Sequence, residues 1–299
     1  MATTYTQIAS NKTKTTVLIV VYVSFIAVIV WALQQIFGYG PEYVLLAIIV
    51  SVLMSLASYF WGDKVALSVS RAQPVTKETA PFIVHMLENI AITAGLPMPK
   101  VYVINDPAIN AFATGRDPKH ASVAVTTGAI ESLENEELEG VLAHELSHVG
   151  NYDIRVMTVV VILGGIISIL ANGFLRSRFY FGGRDRDNDR GGNPALMLIG
   201  LVLIVIAPLL STLIKLAVSR KREYLADASG ALLTRYPEGL ARALEKIGRQ
   251  NQPLATANDA TAHLFFSNPF SSKHFLNIFS THPPLQERIK RLRAMGGAS

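Results

Sequence analysis

Five consecutive residues near the middle of the chain, His144-Glu145-Leu146-Ser147-His148, have types and a spacing that suit metal-dependent hydrolysis. The surrounding residues predict a helix. Histidines four positions apart lie one turn from each other on the same helix face, where two ring nitrogens can bind a single ion. Glu145 follows the first histidine, so we expect it beside the metal, where it can accept a proton from a metal-bound water. The motif predicts zinc chemistry.

The helix that carries this motif has its own start and stop signals. Asn135 is the predicted N-cap, and the acidic residues Glu136 and Glu137 complement the positive end of the helix. Gly150-Asn151 is the predicted end. An H-E-x-x-H sequence can also arise by chance, so the hypothesis needs a third ligand elsewhere in the chain.

Glu223, in Glu223-Tyr224-Leu225-Ala226-Asp227, is the best candidate for that third ligand. Catalytic zinc bound by three protein side chains often takes a carboxylate. Asp227 lies one turn further on the same helix face, where it can accept the free ring N–H of a ligating histidine. Glu238 is the rival, since it is also downstream and also begins a predicted helix.

Three stretches of the chain together resemble the HtpX family of membrane-bound zinc endopeptidases: H-E-L-S-H, E-Y-L-A-D and Thr281-His282-Pro283-Pro284. The resemblance covers nearly the whole chain, including its apolar segments. It implies one Zn²⁺ held by His144, His148 and Glu223, with Glu145 as the general base. It also implies membrane-protein quality control under stress, with misfolded or damaged membrane proteins as the substrates.

The composition indicates a membrane protein. Half of the residues are hydrophobic and only 16% are charged, against about 25% in an average soluble domain. The chain has no cysteine, so histidines and carboxylates must bind any metal. Its net charge of +5 suits contact with anionic lipid headgroups, and without a basic stripe interleaved with aromatics we expect no nucleic-acid partner.

Two apolar runs near the N-terminus, at about 17–37 and 43–61, are each long enough to span a bilayer. Because a second run follows directly, we favour a retained hairpin over a cleaved signal peptide. Lysines and arginines flank the hairpin on both sides, while the short connection within it has none. The chain is therefore predicted to lie in the cell inner (cytoplasmic) membrane with its active site facing the cytoplasm.

Two further apolar runs, Val156–Leu175 and Leu196–Ile214, follow the zinc helix and predict a second hydrophobic hairpin. The arginine-rich loop between them disagrees with full spanning, because positively charged loops normally stay cytoplasmic. We favour full spanning over a partly inserted hairpin, since both ends must return to one active site.

The region between the first hairpin and the zinc helix predicts a helix from Lys77 to Gly95 and strands at 101–104, 110–115 and 121–128. An edge strand next to the zinc helix can pair with an extended substrate backbone. Asn110 resembles the family's N-A-F segment and is a candidate substrate-binding residue. An Asn that caps a turn is the alternative.

The C-terminal region predicts helices over Glu238–Arg249 and Pro284–Met295. By resemblance, His282 matches a His-Pro element of the family, and it can donate to the oxyanion or bind the metal in a resting state. Arg288 can orient His282 or a carboxylate ligand; an ordinary surface Arg is the alternative. Five phenylalanines can line a groove for apolar side chains, or simply pack in the core or on the membrane: Phe265, Phe266, Phe270, Phe275 and Phe279.

Together these predictions describe a mostly α-helical membrane protein with a small β-sheet, organised as a zincin-like metalloprotease domain. The predicted parts are the N-terminal hairpin (1–65), a protease part with the zinc helix (66–154), the second hairpin (155–218) and a C-terminal protease part (219–299). Two alternatives are a CAAX-type prenyl-protein protease, whose relatives have more spans, and a non-catalytic membrane adaptor. The apolar runs hold no ionisable residue except Lys215 near an end, which argues against an ion or proton pathway.

Overall fold

A computed structural model describes residues 4–37, 40–160, 220–250, 254, 264–266 and 283–296. Two long helices, α1 (Thr4–Phe37) and α2 (Glu42–Val69), come first and pack against each other. Ser51, Ser55, Ser58 and Gly62 form a buried stripe along α2, and such small side chains let two helices approach closely. Each helix contains a segment long and apolar enough to cross a membrane, Ile8–Val28 in α1 and Glu42–Val69 in α2.

The predicted N-terminal pair of apolar helices is therefore present, but α1 is longer than the apolar run that predicted it. Its 34 residues extend about 51 Å at 1.5 Å per residue, more than the ~30 Å hydrocarbon core of a bilayer. The polar residues before the apolar run are helical too.

A four-stranded sheet follows, with strand order β1-β2-β4-β3. Its strands are β1 (Gln73–Val75), β2 (Lys100–Ile104), β3 (Ala111–Gly115) and β4 (Ala121–Thr126). β2 and β4 are parallel, and the two outer pairings are antiparallel. The three predicted strands are present, while β1, only three residues long, has no pattern by which to predict it.

Two predicted boundaries in this region are wrong for local reasons. The last strand ends at Thr126, whose side chain accepts a hydrogen bond from the backbone N–H of Ala129 and so begins helix α4 (Thr127–Ser132). Helix α3 (Pro81–Ala94) begins at Pro81 and not at Lys77, because proline suits the first turn of a helix. It ends as predicted at Gly95, which adopts the left-handed conformation with φ 65°.

Helix α5 (Asn135–Gly150), which carries the H-E-x-x-H motif, lies at the centre of the fold, in contact with α3, β3 and two C-terminal helices. These are α6 (Arg220–Thr234) and α7 (Pro237–Arg249); α8 (Leu285–Gly296) packs on them. The N-cap of α5 is Glu134, one residue before the predicted Asn135, and its backbone N–H donates to Oε2 of Glu137 at 2.9 Å. α5 ends at Gly150 as predicted.

Helix α6 lies unusually close to α5 because of a glycine. A Cβ on Gly230 would lie 3.0 Å from the backbone nitrogen of His144, so a larger residue would push the helices apart. Glu223, Asp227 and Gly230 are spaced along one face of α6. That face is therefore held against the histidines of α5.

Several predictions fall outside the described residues. They are the greater part of the second hydrophobic hairpin with its arginine-rich loop, His282, and the phenylalanines 270, 275 and 279. Residues 153–160, which lead into that hairpin, are helical, and those at 153, 154 and 156–160 are buried. The division into four parts stays a prediction.

Candidate metal centre

Three buried side chains meet between α5 and α6, and together they can hold a metal ion: His144, His148 and Glu223. The two histidine Nε2 atoms are 3.2 Å apart. The Glu223 carboxylate places Oε2 3.8 Å from Nε2 of His144 and Oε1 3.7 Å from Nε2 of His148. All three side chains are at most 5% exposed. One ligand atom from each lies within 4.8 Å of the others.

These separations suit zinc. Zinc bonds of about 2.0–2.1 Å at tetrahedral angles place neighbouring ligand atoms about 3.3 Å apart, close to the three separations observed. Two imidazoles and one carboxylate are also a donor set that catalytic zinc uses, with the fourth position left for water or substrate. The residues present therefore fit the metal that the sequence predicts.

His144 is backed by a buried carboxylate and an arginine. Its Nδ1 lies 3.0 Å from Oδ1 of Asp227. Arg288 is fully buried and donates to both Asp227 oxygens, from Nε at 2.8 Å and from Nη2 at 2.6 Å. Nη1 of Arg288 also lies 3.8 Å from the carboxylate of Glu223. Arg288 is thus no surface residue, and it contacts two carboxylates at the site.

His148 has an equivalent arrangement that the sequence analysis missed. Its Nδ1 is hydrogen-bonded to Oδ2 of Asp153 at 3.0 Å, and Nη1 of Arg222 donates to Oδ1 of Asp153 at 2.9 Å. In space, each candidate histidine ligand therefore contacts an aspartate, and each of these aspartates accepts hydrogen bonds from an arginine. Such partners fix the orientation of a metal-binding ring and raise its basicity.

A reversal of the chain brings Asp153 back to His148. Tyr152, just after α5, has φ 60°, in the left-handed region that side chains other than glycine rarely adopt. Two cations lie over the Tyr152 ring, Lys12 at 4.9 Å and Arg155 at 5.0 Å from its centroid. A carboxylate five residues after the motif was the only available signal for this partner.

The two histidines differ in their affinity for protons. Burial is the main influence on His144 and lowers its pKa to about 4, although Asp227 opposes this. Burial also disfavours a charge on His148, but the carboxylates of Asp153, Glu223 and Glu145 outweigh burial and raise the pKa of His148 to about 9. Burial likewise disfavours the charged form of Asp227, but Arg288 and His144 lower the pKa of Asp227 to about 2.

Glu145 is buried on α5 beside the two histidines, and its negative charge helps to raise the pKa of both His148 and Arg288.

The ring of Phe266 lies edge-on to His144, with centroids 4.9 Å apart, and the guanidinium of Arg288 lies 4.9 Å from the same ring. Phe265 packs against Phe112 of β3. For these two phenylalanines the core-packing alternative is correct, since both are buried.

Strand β3 is the edge of the sheet next to α5. Thr126 donates to the carbonyl of Asn110, so Asn110 faces β4 and the backbone groups of Ala111 and Ala113 face outward. The Ala111 carbonyl accepts from the backbone N–H of Phe266 at 2.8 Å. None of the described residues bonds to the outward N–H and C=O of Ala113, a residue that is itself buried.

The structure also shows the contacts of Asn110 and Glu238, two further candidates from the sequence. The Asn110 side chain accepts from the backbone N–H of Ala111 at 3.0 Å. Glu238 is more than a third exposed and pairs with Arg293 at 2.9 Å. Glu238 is therefore not part of the cluster of His144, His148 and Glu223.

Comparison with known sequences identifies the family. The sequence pattern of peptidase family M48 matches residues 77–296. A protease HtpX homolog of Caldanaerobacter subterraneus subsp. tengcongensis is 46% identical over 295 residues, 98% of each chain. The chain belongs to peptidase family M48 and, within it, to the HtpX proteases. A protease HtpX homolog of Dictyoglomus thermophilum is 45% identical over 294 residues, 98% of this chain and 95% of that one.

The HtpX-type chain also shares its fold with a solved structure. Ste24p of S. mikatae superimposes with a TM-score of 0.52 at 21% sequence identity, over 88% of this chain and 62% of that chain. At this identity the likeness concerns the fold alone. The family and the two apolar N-terminal helices together make this protein a membrane-associated peptidase.

Proposed function

We propose that this protein is a zinc-dependent endopeptidase in which His144, His148 and Glu223 bind the metal. The observation that supports the proposal most strongly is the buried set of three ligand atoms between α5 and α6. Bound there, zinc would acidify a water molecule and polarise the carbonyl of a peptide bond.

The chain's own residues supply the remaining steps. Glu145 accepts the proton of the attacking water and passes it to the amine that leaves. Asp227 and Asp153 hold the imidazoles of His144 and His148 in orientation. Arg288 keeps Asp227 ionised, because its guanidinium contributes to the low pKa of that carboxyl. Burial of the whole set excludes bulk water and strengthens these interactions.

The substrate binds in an extended conformation along β3. Pairing would use the outward N–H and C=O of Ala113, which lie on the edge of the sheet beside α5 but belong to a buried residue. The Ala111 carbonyl is already bonded to Phe266, so pairing begins beyond it. Asn110 as a substrate-binding residue and His282 as an oxyanion donor or metal-binding switch stay predictions.

The lysines and arginines on both flanks of the hairpin set its orientation in this proposal: the protein is multi-pass, and its peptidase part faces the cytoplasm. A site tethered at the bilayer meets cytoplasmic loops of membrane proteins at a high effective concentration. Misfolded or damaged membrane proteins are therefore the proposed substrates.

Labelling of single cysteines tests the orientation. The thiol of a Glu78→Cys variant should be protected from a membrane-impermeant reagent added outside the cell, and the thiol of a Glu42→Cys variant should react. The reverse labelling would overturn the orientation.

Bound zinc and protease activity, measured on variants of the full chain, test the ligand assignment. Glu223→Gln replaces an anionic ligand with a neutral and weaker one, so zinc per protein after dialysis and cleavage of an unfolded protein should fall together. Glu238→Gln is the matched control, because Glu238 pairs with Arg293 away from the site. Retention of zinc and activity by Glu223→Gln would show that the third ligand is elsewhere.

A further inference from the structure

The N-terminal helix α1 contacts the metal centre through one face. Its buried residues follow helical spacing: Asn11, Thr15, Leu18 and Tyr22. Leu18 packs in one cluster with Val156 and Val160, and Tyr22 packs with Val159. Residues 11–22 of α1 therefore lie along the helical residues 153–160, which begin with Asp153.

Asn11 is the polar end of this face and is completely buried. Its side-chain nitrogen donates to Oδ1 of Asp153 and to the backbone carbonyl of Asn151, both at 2.8 Å. Its side-chain oxygen accepts from Nη1 of Arg222 at 3.3 Å. One amide thus joins three parts of the chain: α1, the end of α5 and the start of α6.

The orientation of this amide is determined by its partners. A carbonyl and a carboxylate only accept hydrogen bonds, while a guanidinium only donates, so a flipped Asn11 would lose all three contacts. Leaving a buried donor or acceptor unsatisfied destabilises the folded state. Asn11 therefore favours one relative placement of Asp153 and Arg222.

That placement bears directly on two candidate metal ligands. Asp153 is the carboxylate bonded to Nδ1 of His148, and Arg222 is the residue before Glu223. A shift of either one moves a ligand. Zinc binding depends on the placement of such partners, whose removal typically costs about 10–100-fold in metal affinity.

We propose that Asn11 is a positioning residue that holds Asp153 and Arg222, and through them His148, for metal binding. The N-terminal membrane helix is in this way part of the metal centre as well as an anchor. The inference rests on the proposed assignment of His148 as a zinc ligand.

The test measures zinc affinity of the full chain in detergent by competition with a chelator. Asn11→Leu keeps the approximate shape of the side chain and removes its hydrogen bonds. It should weaken zinc binding by about tenfold, the lower end of the range for partners of a ligand. Thr13→Ala, at an exposed position of the same helix, should bind zinc like the parent. The visible spectrum of the Co²⁺-substituted protein should change for Asn11→Leu only.

A double-mutant cycle shows whether the effect passes through Asp153. In the Asp153→Asn background, Asn11→Leu should cause little further loss of zinc affinity. Additive losses, or an Asn11→Leu protein with parental zinc affinity and Co²⁺ spectrum, would overturn the proposal.

Two further measurements distinguish failure of the role proposed for Asn11 from failure of the proposed zinc ligands. If Asn11→Leu does not fold, Asn11→Ser, which cannot bridge the three partners, is measured in the same way. Zinc binding by the parent and its loss in His148→Ala test the ligand assignment itself. If the parent binds no zinc at His148, the proposed function fails; if only the Asn11 variants behave like the parent, this inference alone fails.

Discussion

Arg288→Met should destabilise the protein because it leaves a buried carboxylate without its cation. Arg288 is fully buried and makes both of its short hydrogen bonds, at 2.8 and 2.6 Å, to Asp227. Methionine keeps much of the length of the side chain and can still pack on Phe266. The main change is therefore the loss of charge beside Asp227.

Two estimates give the size of the effect. The pKa of Asp227 is about 2 against an ordinary value of 3.8, which corresponds to about 2 kcal/mol in favour of the ionised folded form. Removing one partner of a buried ion pair typically costs about 3–5 kcal/mol, because the other charge stays buried. At about 2–4 °C per kcal/mol for domains of 150–250 residues, a loss of about 3 kcal/mol lowers the Tm by roughly 10 °C.

The sign of the pH dependence distinguishes this explanation from a simple packing defect. In the parent the pKa of Asp227 is depressed, so its contribution is complete above pH 3.8 and is lost as the pH falls through about 2. In Arg288→Met, burial without the arginine raises the pKa of Asp227. The difference in Tm between the two proteins should therefore narrow from pH 8 to pH 5, as the variant takes up a proton.

The assay is thermal unfolding of the metal-free full chain in detergent, followed by circular dichroism at several pH values. Arg288→Met combined with Asp227→Leu should recover much of the stability, since no unpaired charge remains, but not the zinc affinity, because His144 loses its carboxylate partner. A Tm difference that is independent of pH, or a double variant no more stable than Arg288→Met, would refute the reasoning.

Two other features of the site give measurable predictions. Zinc binding between pH 7 and 8 should release at least one proton, because the pKa of His148 is about 9 and its imidazole must lose a proton to bind the metal, while the pKa of His144 is about 4. Calorimetry in buffers of different ionisation enthalpy measures the number of protons released, and release of none would contradict the assignment. Gly230→Ala should cost about 1–3 kcal/mol and weaken zinc binding, since its Cβ would lie 3.0 Å from the backbone of His144. An unchanged zinc dissociation constant would show that the α5–α6 spacing does not control the site.

Of the three proposed metal ligands, local rules place His144 and His148, but they only suggest Glu223, which the resemblance to the HtpX family supplied. Helical periodicity puts His144 and His148 on one face and aligns Asp227 one turn after Glu223. The same rules gave the strands β2, β3 and β4 and most helices to within a few residues. Capping chemistry then decided details that periodicity does not contain, such as the start of α3 at Pro81.

The partners of His148 were not accessible in the same way. Asp153 reaches His148 only because the chain reverses at Tyr152, whose left-handed conformation has no sequence signature when the residue is not glycine. Asn11 is 142 positions away from Asp153, and its role follows from the docking of α1 and not from any local pattern. Arg222 looked like one of several basic residues at the end of an apolar run.

The central claim is that a bound zinc ion and Glu145 divide the work of peptide hydrolysis, and Glu145→Gln tests it most directly. Bound zinc per protein and cleavage of an unfolded protein substrate are measured on the same preparation, with Glu136→Gln, exposed in the first turn of α5, as the matched control. Glu145→Gln should keep near-stoichiometric zinc and lose about 10²–10⁴-fold or more in cleavage rate, as expected for removal of a proton acceptor. Loss of zinc from this variant, or cleavage at the parental rate, would contradict the account.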